Sequence, residues 1–225
     1  MDKQTPYFIF KPEALEKNFK NLDALCKRHL KNYLIAYSVK TNSFQPLLKK
    51  LEELRSNFEI ASLNELEAVE KLGKKIIFNS PCKTEEELEK AIKNNVLINV
   101  DSKSEIEKII SLLKGKPYEV GLRVSIKESK FGFDESQLKD VIMYAKKNNI
   151  TIQGLHVHPG TQQTLADYEK FLSQAYEFLK RFFETYKIPL EYIDLGGGFP
   201  DGVKLKNLAH SLEEYLQAIT QTIGR

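Results

Sequence analysis

Leu34-Ile-Ala-Tyr-Ser-Val-Lys-Thr-Asn42 decides how this chain is to be read. Leu34–Val39 is a short apolar run, partly β-branched and aromatic, and it stops abruptly at Lys40, Thr41 and Asn42. Such a run reads as a buried strand. A lysine at the carboxyl end of a buried parallel strand stands at the mouth of the fold's interior. Poor solvation there lowers the pKa of its ammonium group. A neutral amine so placed can attack an aldehyde and form a Schiff base. The plainer reading is a lysine that marks where a strand meets water, and the rest of the chain has to decide between the two.

The same strand-then-helix unit repeats outward from this stretch. Leu34–Val39 precedes a helix with Leu47, Leu48, Leu51 and Leu54 on one face, and Phe58–Ala61 precedes one through Leu63, Leu66, Val69 and Leu72. Lys75–Asn79 follows, with Thr84 and Glu87 spaced as a capping box for its helix. Val96–Val100, Tyr118–Val124, Ile152–Val157 and Tyr192–Leu195 continue the series, each followed by an amphipathic run; Asp134 is placed to cap the fifth, and the last extends from Leu208 to Ile223. Upstream, Thr5–Phe10 reads as a strand, and Leu15, Phe19, Leu22, Leu25 and Cys26 recur at helical spacing, making Cys26 a small core residue.

Seven β-then-α units in series imply parallel strands joined by right-handed crossovers. That alternation fits a doubly wound sheet or a (β/α)8 TIM-type barrel, and the barrel is favoured because nothing marks a reversal of strand order. The seventh helix runs to the end of the sequence at Arg225, so the barrel is expected to be incomplete, with two unpaired edges. The expected organisation is residues 1–30 as an N-terminal strand and helix and 31–225 as the barrel, with no second domain.

Composition narrows the class. Among 225 residues, 34 lysines and arginines stand against 31 aspartates and glutamates, and their excess is scattered rather than gathered into a nucleic-acid-binding patch. The start Met-Asp-Lys-Gln-Thr-Pro lacks a secretory pattern, and no apolar run approaches membrane-spanning length. Cys26 and Cys82 form neither a disulfide framework nor a metal-ligand spacing. A reduced, cytoplasmic protein is expected.

In a barrel of this kind chemistry gathers at the carboxyl ends of the strands. Lys40, Glu59, Ser62, Asn79, Asp101, Arg123, His156, His158 and Gly196-Gly197-Gly198 all fall at or near such ends. Leaving so many polar groups buried without partners would cost about 1–3 kcal/mol apiece, so something polar is expected at their centre. The three glycines can turn bare N–H groups towards an anion such as phosphate, or form only a flexible turn. His156 and His158 have strand spacing and share one side; no third metal ligand lies nearby, so stacking or hydrogen bonding is the expected role. Thr161 offers a further hydroxyl. Arg123 offers a two-pronged donor for phosphate, phenolate or carboxylate, or a salt bridge to Glu59 or Asp101.

An anion cradle, a ring-stacking imidazole and a lysine on one rim describe a pyridoxal 5'-phosphate site. The strings Ala36-Tyr-Ser-Val-Lys-Thr-Asn42, Phe58-Glu-Ile-Ala-Ser62, Asn79-Ser-Pro-Cys-Lys83, Lys130-Phe-Gly-Phe133, Gly154-Leu-His-Val-His-Pro-Gly-Thr-Gln162 and Asp194-Leu-Gly-Gly-Gly-Phe-Pro200 closely resemble the fold type III pyridoxal-phosphate decarboxylases, the diaminopimelate and ornithine decarboxylases. The resemblance implies the alanine racemase-like barrel. It implies Lys40 as the residue bonded to the cofactor, His158 stacked on its ring, and Thr161, Gly196, Gly197 and Gly198 around its phosphate. Glu59 stands where the family more usually has aspartate, and Arg123 and Glu65 match polar positions in or beside the site. Gln162 leans towards the diaminopimelate type and Ser80-Pro-Cys-Lys83 towards the ornithine type, while Cys82 does not match the family's catalytic cysteine.

The family pattern continues into an eighth strand ending in Glu-Pro-Gly-Arg, whose glutamate pairs with the ring nitrogen, and then into a β-domain that completes the site across a dimer. The expectation is therefore the barrel portion of an amino-acid decarboxylase, truncated or split, acting on a small-molecule amino acid and working as a homodimer or with a separate C-terminal half. The other reading is a homologue that binds the cofactor or a partner without catalysis.

Overall fold

The computed structural model describes residues 6–126 and 129–224. The strands are β1 (Ala36–Ser38), β2 (Asn57–Ile60), β3 (Ile76–Asn79), β4 (Leu97–Val100), β5 (Tyr118–Arg123), β6 (Ile150–His156) and β7 (Tyr192–Asp194). The helices are α1 (Pro12–His29), α2 (Gln45–Glu53), α3 (Leu63–Val69), α4 (Glu85–Lys93), α5 (Lys103–Leu113), α6 (Glu135–Lys147), α7 (Leu165–Tyr186), α8 (Gly202–Asn207) and α9 (Leu212–Thr222). The seven strands lie side by side in chain order, every neighbouring pair parallel. A doubly wound sheet would reverse its order at some point, so strict sequential order selects the barrel.

Curvature is visible in the side chains. In a flat sheet, strands three places apart would be separated by roughly 14 Å. Yet the Tyr192 hydroxyl on β7 donates to Asn99 Oδ1 on β4 at 2.7 Å, and Asn79 Nδ2 on β3 donates to Asp194 Oδ2 on β7 at 3.0 Å. Two glycines make the room. A Cβ on Gly154 would lie 2.2 Å from the Tyr192 ring, and one on Gly121 would lie 1.9 Å from Asn99 Oδ1. Strand-interior glycine here marks the close approach of a side chain arriving from across the barrel.

Outside the sheet, Leu48, Leu66, Leu88, Ile106, Leu138 and Leu172 turn the apolar faces of α2 to α7 inward. Helix α1 packs against both α2 and α9, bringing the first and last helices together. There Arg28 and His29 both reach Glu213 Oε1 at 2.8 Å, and the Thr220 hydroxyl donates to the His29 carbonyl at 2.9 Å. The outer edges of β1 and β7 have no strand partner among the described residues, as expected for an incomplete barrel.

Three local expectations need correction. Thr5 lies outside the described residues, and residues 6–10 form no strand: Phe8 and Ile9 project into solvent with no sheet to join, although Phe10 meets Phe44 edge-on at 5.8 Å. The first barrel strand is shorter than Leu34–Val39, because Val39–Thr41 coil into a 3-10 turn closed by the Asn42 N–H donating to the Val39 carbonyl at 3.1 Å. Lys40 thus sits in the turn that leaves the strand. The helix expected over Leu208–Ile223 starts later, at Leu212, because Ala209 takes a left-handed φ of 54° and Ser211 with Glu214 forms its capping box; the short α8 ends ahead of it at Asn207. The capping box at Thr84 and Glu87 forms as read, and Gln137 joins Asp134 in another.

The crossing of Tyr192 beneath Gly154 can be tested by a double-mutant cycle in urea. Gly154→Ala alone is expected to destabilise the fold by about 3 kcal/mol through overpacking. Combined with Tyr192→Ala it should cost less than the two changes summed, by about 1–2 kcal/mol; strict additivity would mean that the two residues do not meet.

Candidate cofactor site at the carboxyl rim of the barrel

Each rim residue is placed by the end of its own strand. Lys40 leaves β1 in the 3-10 turn, its side chain 59% exposed, with Nζ 3.7 Å from Glu59 Oε1. Burial pushes the Glu59 carboxyl above the ordinary carboxylate range, and the nearby Lys40 charge pulls it back in part. Asp101, just past β4, accepts from Arg123 Nη1 at 3.0 Å and from the Gly132 N–H at 3.1 Å. Arg123 also lies over the Phe131 ring, 4.9 Å from its centre. Of the two salt-bridge partners open to Arg123, the fold therefore selects Asp101.

His156 closes β6 and is buried, while His158 two residues on is exposed at the rim; their ring centres are 6.3 Å apart. The Gly160 N–H donates to His158 Nδ1 at 3.0 Å, so Nδ1 must carry a lone pair and the ring is neutral with its proton on Nε2. Partial burial lowers the His158 pKa to about 4, helped by His156, Arg123 and Lys40 nearby. A neutral ring is the form suited to stacking on another aromatic ring.

The glycine loop is held from below by Asp194. Its Oδ1 accepts from the Gly196 N–H at 2.8 Å, and its Oδ2 accepts from Asn79 Nδ2 at 3.0 Å and Asn99 Nδ2 at 3.2 Å. His156 Nδ1 lies 3.1 Å from the same Oδ2, at ion-pair distance without hydrogen-bond alignment. Burial alone would raise the Asp194 pKa, but attraction to His156, the Asn79 amide and the Gly196 N–H outweigh it and bring it down to about 2. Gly196 and Gly198 adopt φ of 67° and 89°, and a Cβ on either would strike the His158–Gly160 segment, at 2.7 Å from His158 Cδ2 and 2.6 Å from Pro159 Cγ respectively. A Cβ on Gly197 would meet nothing within 4 Å.

This refines the expected phosphate contacts. The Gly196 N–H is engaged by Asp194, whereas those of Gly197 and Gly198 donate to no acceptor among the described residues. The Thr161 hydroxyl, exposed on the facing loop, is likewise without a partner among them. Glu65 lies close enough for its charge to act on Glu59, and its Oε2 accepts from the Ala61 N–H at 2.9 Å, closing the amino end of α3. Lys83 is fully buried, donating to the carbonyls of Ser80 and Asn99 at 2.8 Å each and to Glu105 Oε2 at 3.0 Å. It clasps the ends of β3 and β4 and does not face the rim.

Asp194, Asn99 and Tyr192 were not among the candidate site residues read from the sequence. Asn99 interrupts the apolar run Leu97-Ile-Asn-Val100, and Gly121 and Gly154 interrupt their strands, which were the available signals. A concavity of about 540 Å³ lies at the opposite end of the sheet beside Phe19, Tyr33 and Leu34; its Asp23 is already paired with Lys27 and Tyr33, and none of the rim groups lines it.

The arrangement can hold a planar aldehyde that carries an anionic arm. Lys40 offers the amine, His158 a neutral ring face, and the bare N–H groups of Gly197 and Gly198 the anion contact. A barrel with this rim has the architecture of a pyridoxal-phosphate-binding domain. Residues 15–225 match the family model for pyridoxal-dependent decarboxylases, pyridoxal binding domain, and the chain belongs to that family. It is 29% identical to a diaminopimelate decarboxylase of Campylobacter jejuni over 96% of this chain and 58% of that protein. It is 28% identical to a lysine/ornithine decarboxylase of Selenomonas ruminantium over 98% and 58%. A crystal structure of Helicobacter pylori diaminopimelate decarboxylase complexed with L-lysine superposes with a TM-score of 0.88 at 25% identity, covering 99% of this chain and 61% of that one. The chain thus spans about 60% of the length of the relatives it matches.

The lowered His158 pKa has a thermodynamic signature. The unfolded chain, with an ordinary histidine pKa near 6.5, takes up this proton before the folded one, whose pKa is about 4. The contribution of His158 to stability is therefore intact above pH 6.5, shrinks as pH falls from 6.5 to 4, and is level below. His158→Asn should lack that segment of the stability–pH curve, and an NMR titration of the wild-type ring should find its midpoint near 4 rather than 6.5.

Proposed function

We propose that this chain supplies the cofactor-binding barrel of a pyridoxal-phosphate-dependent amino-acid decarboxylase of the diaminopimelate/ornithine type. The observation that carries the reading is the convergence on one rim of a solvent-reachable lysine, a neutral histidine and two glycine N–H groups with no acceptor among the described residues. Residues 31–225 make the barrel and 1–30 lead into it, and we place the protein in the cytoplasm.

The bound cofactor would supply an electron sink for the pair left behind when a carboxylate departs. The chain's own residues do the rest. Lys40 is the point of attachment, and the Glu59 carboxyl beside it, with its raised pKa, can hold or accept a proton at Oε1. His158 supports the ring through its apolar face, with Nδ1 fixed by Gly160. Gly197, Gly198 and Thr161 bind the phosphate. Arg123, already neutralised by Asp101, shapes the wall beside His158 together with Ser125 and Phe131.

Asp101 and Asp194 are fully engaged with Arg123 and with the Asn79–Asn99 pair, so neither is free to pair with a pyridine nitrogen. Slow turnover by this barrel alone follows. Efficient decarboxylation is expected to need a second copy or a separate C-terminal half that brings a further carboxylate and the residues reading the distal end of the amino acid.

Borohydride reduction in the presence of pyridoxal phosphate should fix one cofactor per chain on the peptide containing Lys40, and none in Lys40→Ala. Labelling at another lysine, or absence of labelling in the wild type, would sink the assignment. Carbon dioxide released from diaminopimelate, lysine or ornithine by labelled-competent protein, and lost in Lys40→Ala, separates an enzyme from a carrier.

A further inference from the structure

We propose that Tyr192 and Asn99, neither of which is among the groups offered to a ligand, are positioning residues that set the anion-binding glycine loop from across the barrel by holding Asp194. The inference deepens the cofactor site proposed above and rests on that reading. The contacts form one chain. The Tyr192 hydroxyl donates to Asn99 Oδ1 at 2.7 Å, which fixes the direction of the Asn99 amide. Asn99 Nδ2 then donates to Asn79 Oδ1 at 2.8 Å and to Asp194 Oδ2 at 3.2 Å, while Asn79 Nδ2 donates to the same carboxylate oxygen at 3.0 Å. With Oδ2 held, Oδ1 faces the Gly196 N–H at 2.8 Å and maintains the left-handed turn there, φ 67°. That turn leaves the next two N–H groups without an acceptor among the described residues.

Tyr192 acts here through a single atom. If the Asn99 amide turned over, its carbonyl oxygen would face the Asp194 carboxylate and its NH2 group would face the phenol. The hydroxyl, as a donor, favours the working orientation. Burial and the carboxylates of Asp194 and Glu191 hold the phenol's pKa far above its ordinary range, so it remains a donor at every working pH. Gly121 and Gly154, in two different strands, both lack the Cβ that would block this route. The clearance extends to the hydroxyl itself, since a Cβ on Gly121 would lie 2.1 Å from that oxygen.

The test uses the full chain with Tyr192→Phe, the mildest break in the network, and Tyr118→Phe as control. Tyr118 loses an equivalent buried bond, 3.0 Å to the Val96 carbonyl, at the other end of the sheet. Tyr192→Phe is expected to weaken pyridoxal phosphate binding by about fivefold to tenfold while leaving binding of pyridoxal, which lacks the phosphate, unchanged. Tyr118→Phe should lower the melting temperature without altering the ratio of the two affinities. Amide hydrogen exchange at Gly196, measured without any ligand, should be faster in Tyr192→Phe than in wild type or control. A fall shared equally by both ligands, or no fall, overturns the proposal, as does unchanged exchange at Gly196 whatever the affinities do. If the wild type captures no cofactor on Lys40, the site assignment fails, and the exchange measurement still judges the positioning role.

Discussion

One carboxylate, Asp194, ties the wall of this barrel to its chemistry. It stands at the end of the last strand, accepts from side chains on the third and fourth, sits beside the histidine that ends the sixth, and holds the first glycine of the loop that follows. A buried carboxylate is costly unless its lone pairs are filled. Here three donors fill them and a histidine lies alongside, so the group stays charged down to about pH 2. Because those donors come from strands well separated in the sheet, satisfying Asp194 requires the sheet to curl. The demand that closes the interior also shapes the loop that can receive a phosphate.

The rest of the rim follows a division between engaged and free groups. Arg123 and Asp101 neutralise each other and brace the Gly132 turn; Lys83 and Glu105 do the same deeper down, where neither would be tolerated alone. Glu65 is taken up in a helix cap. Among the described rim residues named above, those left available are the Lys40 amine beside Glu59, the neutral face of His158, the hydroxyl of Thr161 and the N–H groups of Gly197 and Gly198. That remainder is complementary to an aldehyde carrying a planar ring and a phosphate, which accords with membership of the pyridoxal-dependent decarboxylases.

The N-terminal helix contributes in a way its sequence does not announce. By packing between α2 and α9 and joining His29 and Arg28 to Glu213, it brings the two ends of the barrel together on the outside, although β1 and β7 do not pair. A seven-stranded barrel is in this way held curved by a polar network within and a helix seam without. The exposed Phe8 and Ile9, just ahead of that helix, pack against none of this.

Much of this was legible in the residues alone. Apolar runs of strand length alternating with helical periodicity specified parallel β/α units, and the polar residue ending each run marked the rim, because strand ends are where a buried chain first meets polar surroundings. Lys40, His158 and the three glycines could be read in that way. What tertiary structure decided was which polar groups are free. Whether Gly196 or Gly197 offers its N–H, whether Arg123 faces Asp101 or Glu59, and whether Glu65 serves a site or a cap all depend on partners 20 to 115 residues distant or on a local turn. The Tyr192–Asn99 crossing lay hidden for the same reason. A hydrogen bond between residues 93 positions apart leaves no periodic trace in the chain, and only the glycines that clear its path were there to be seen.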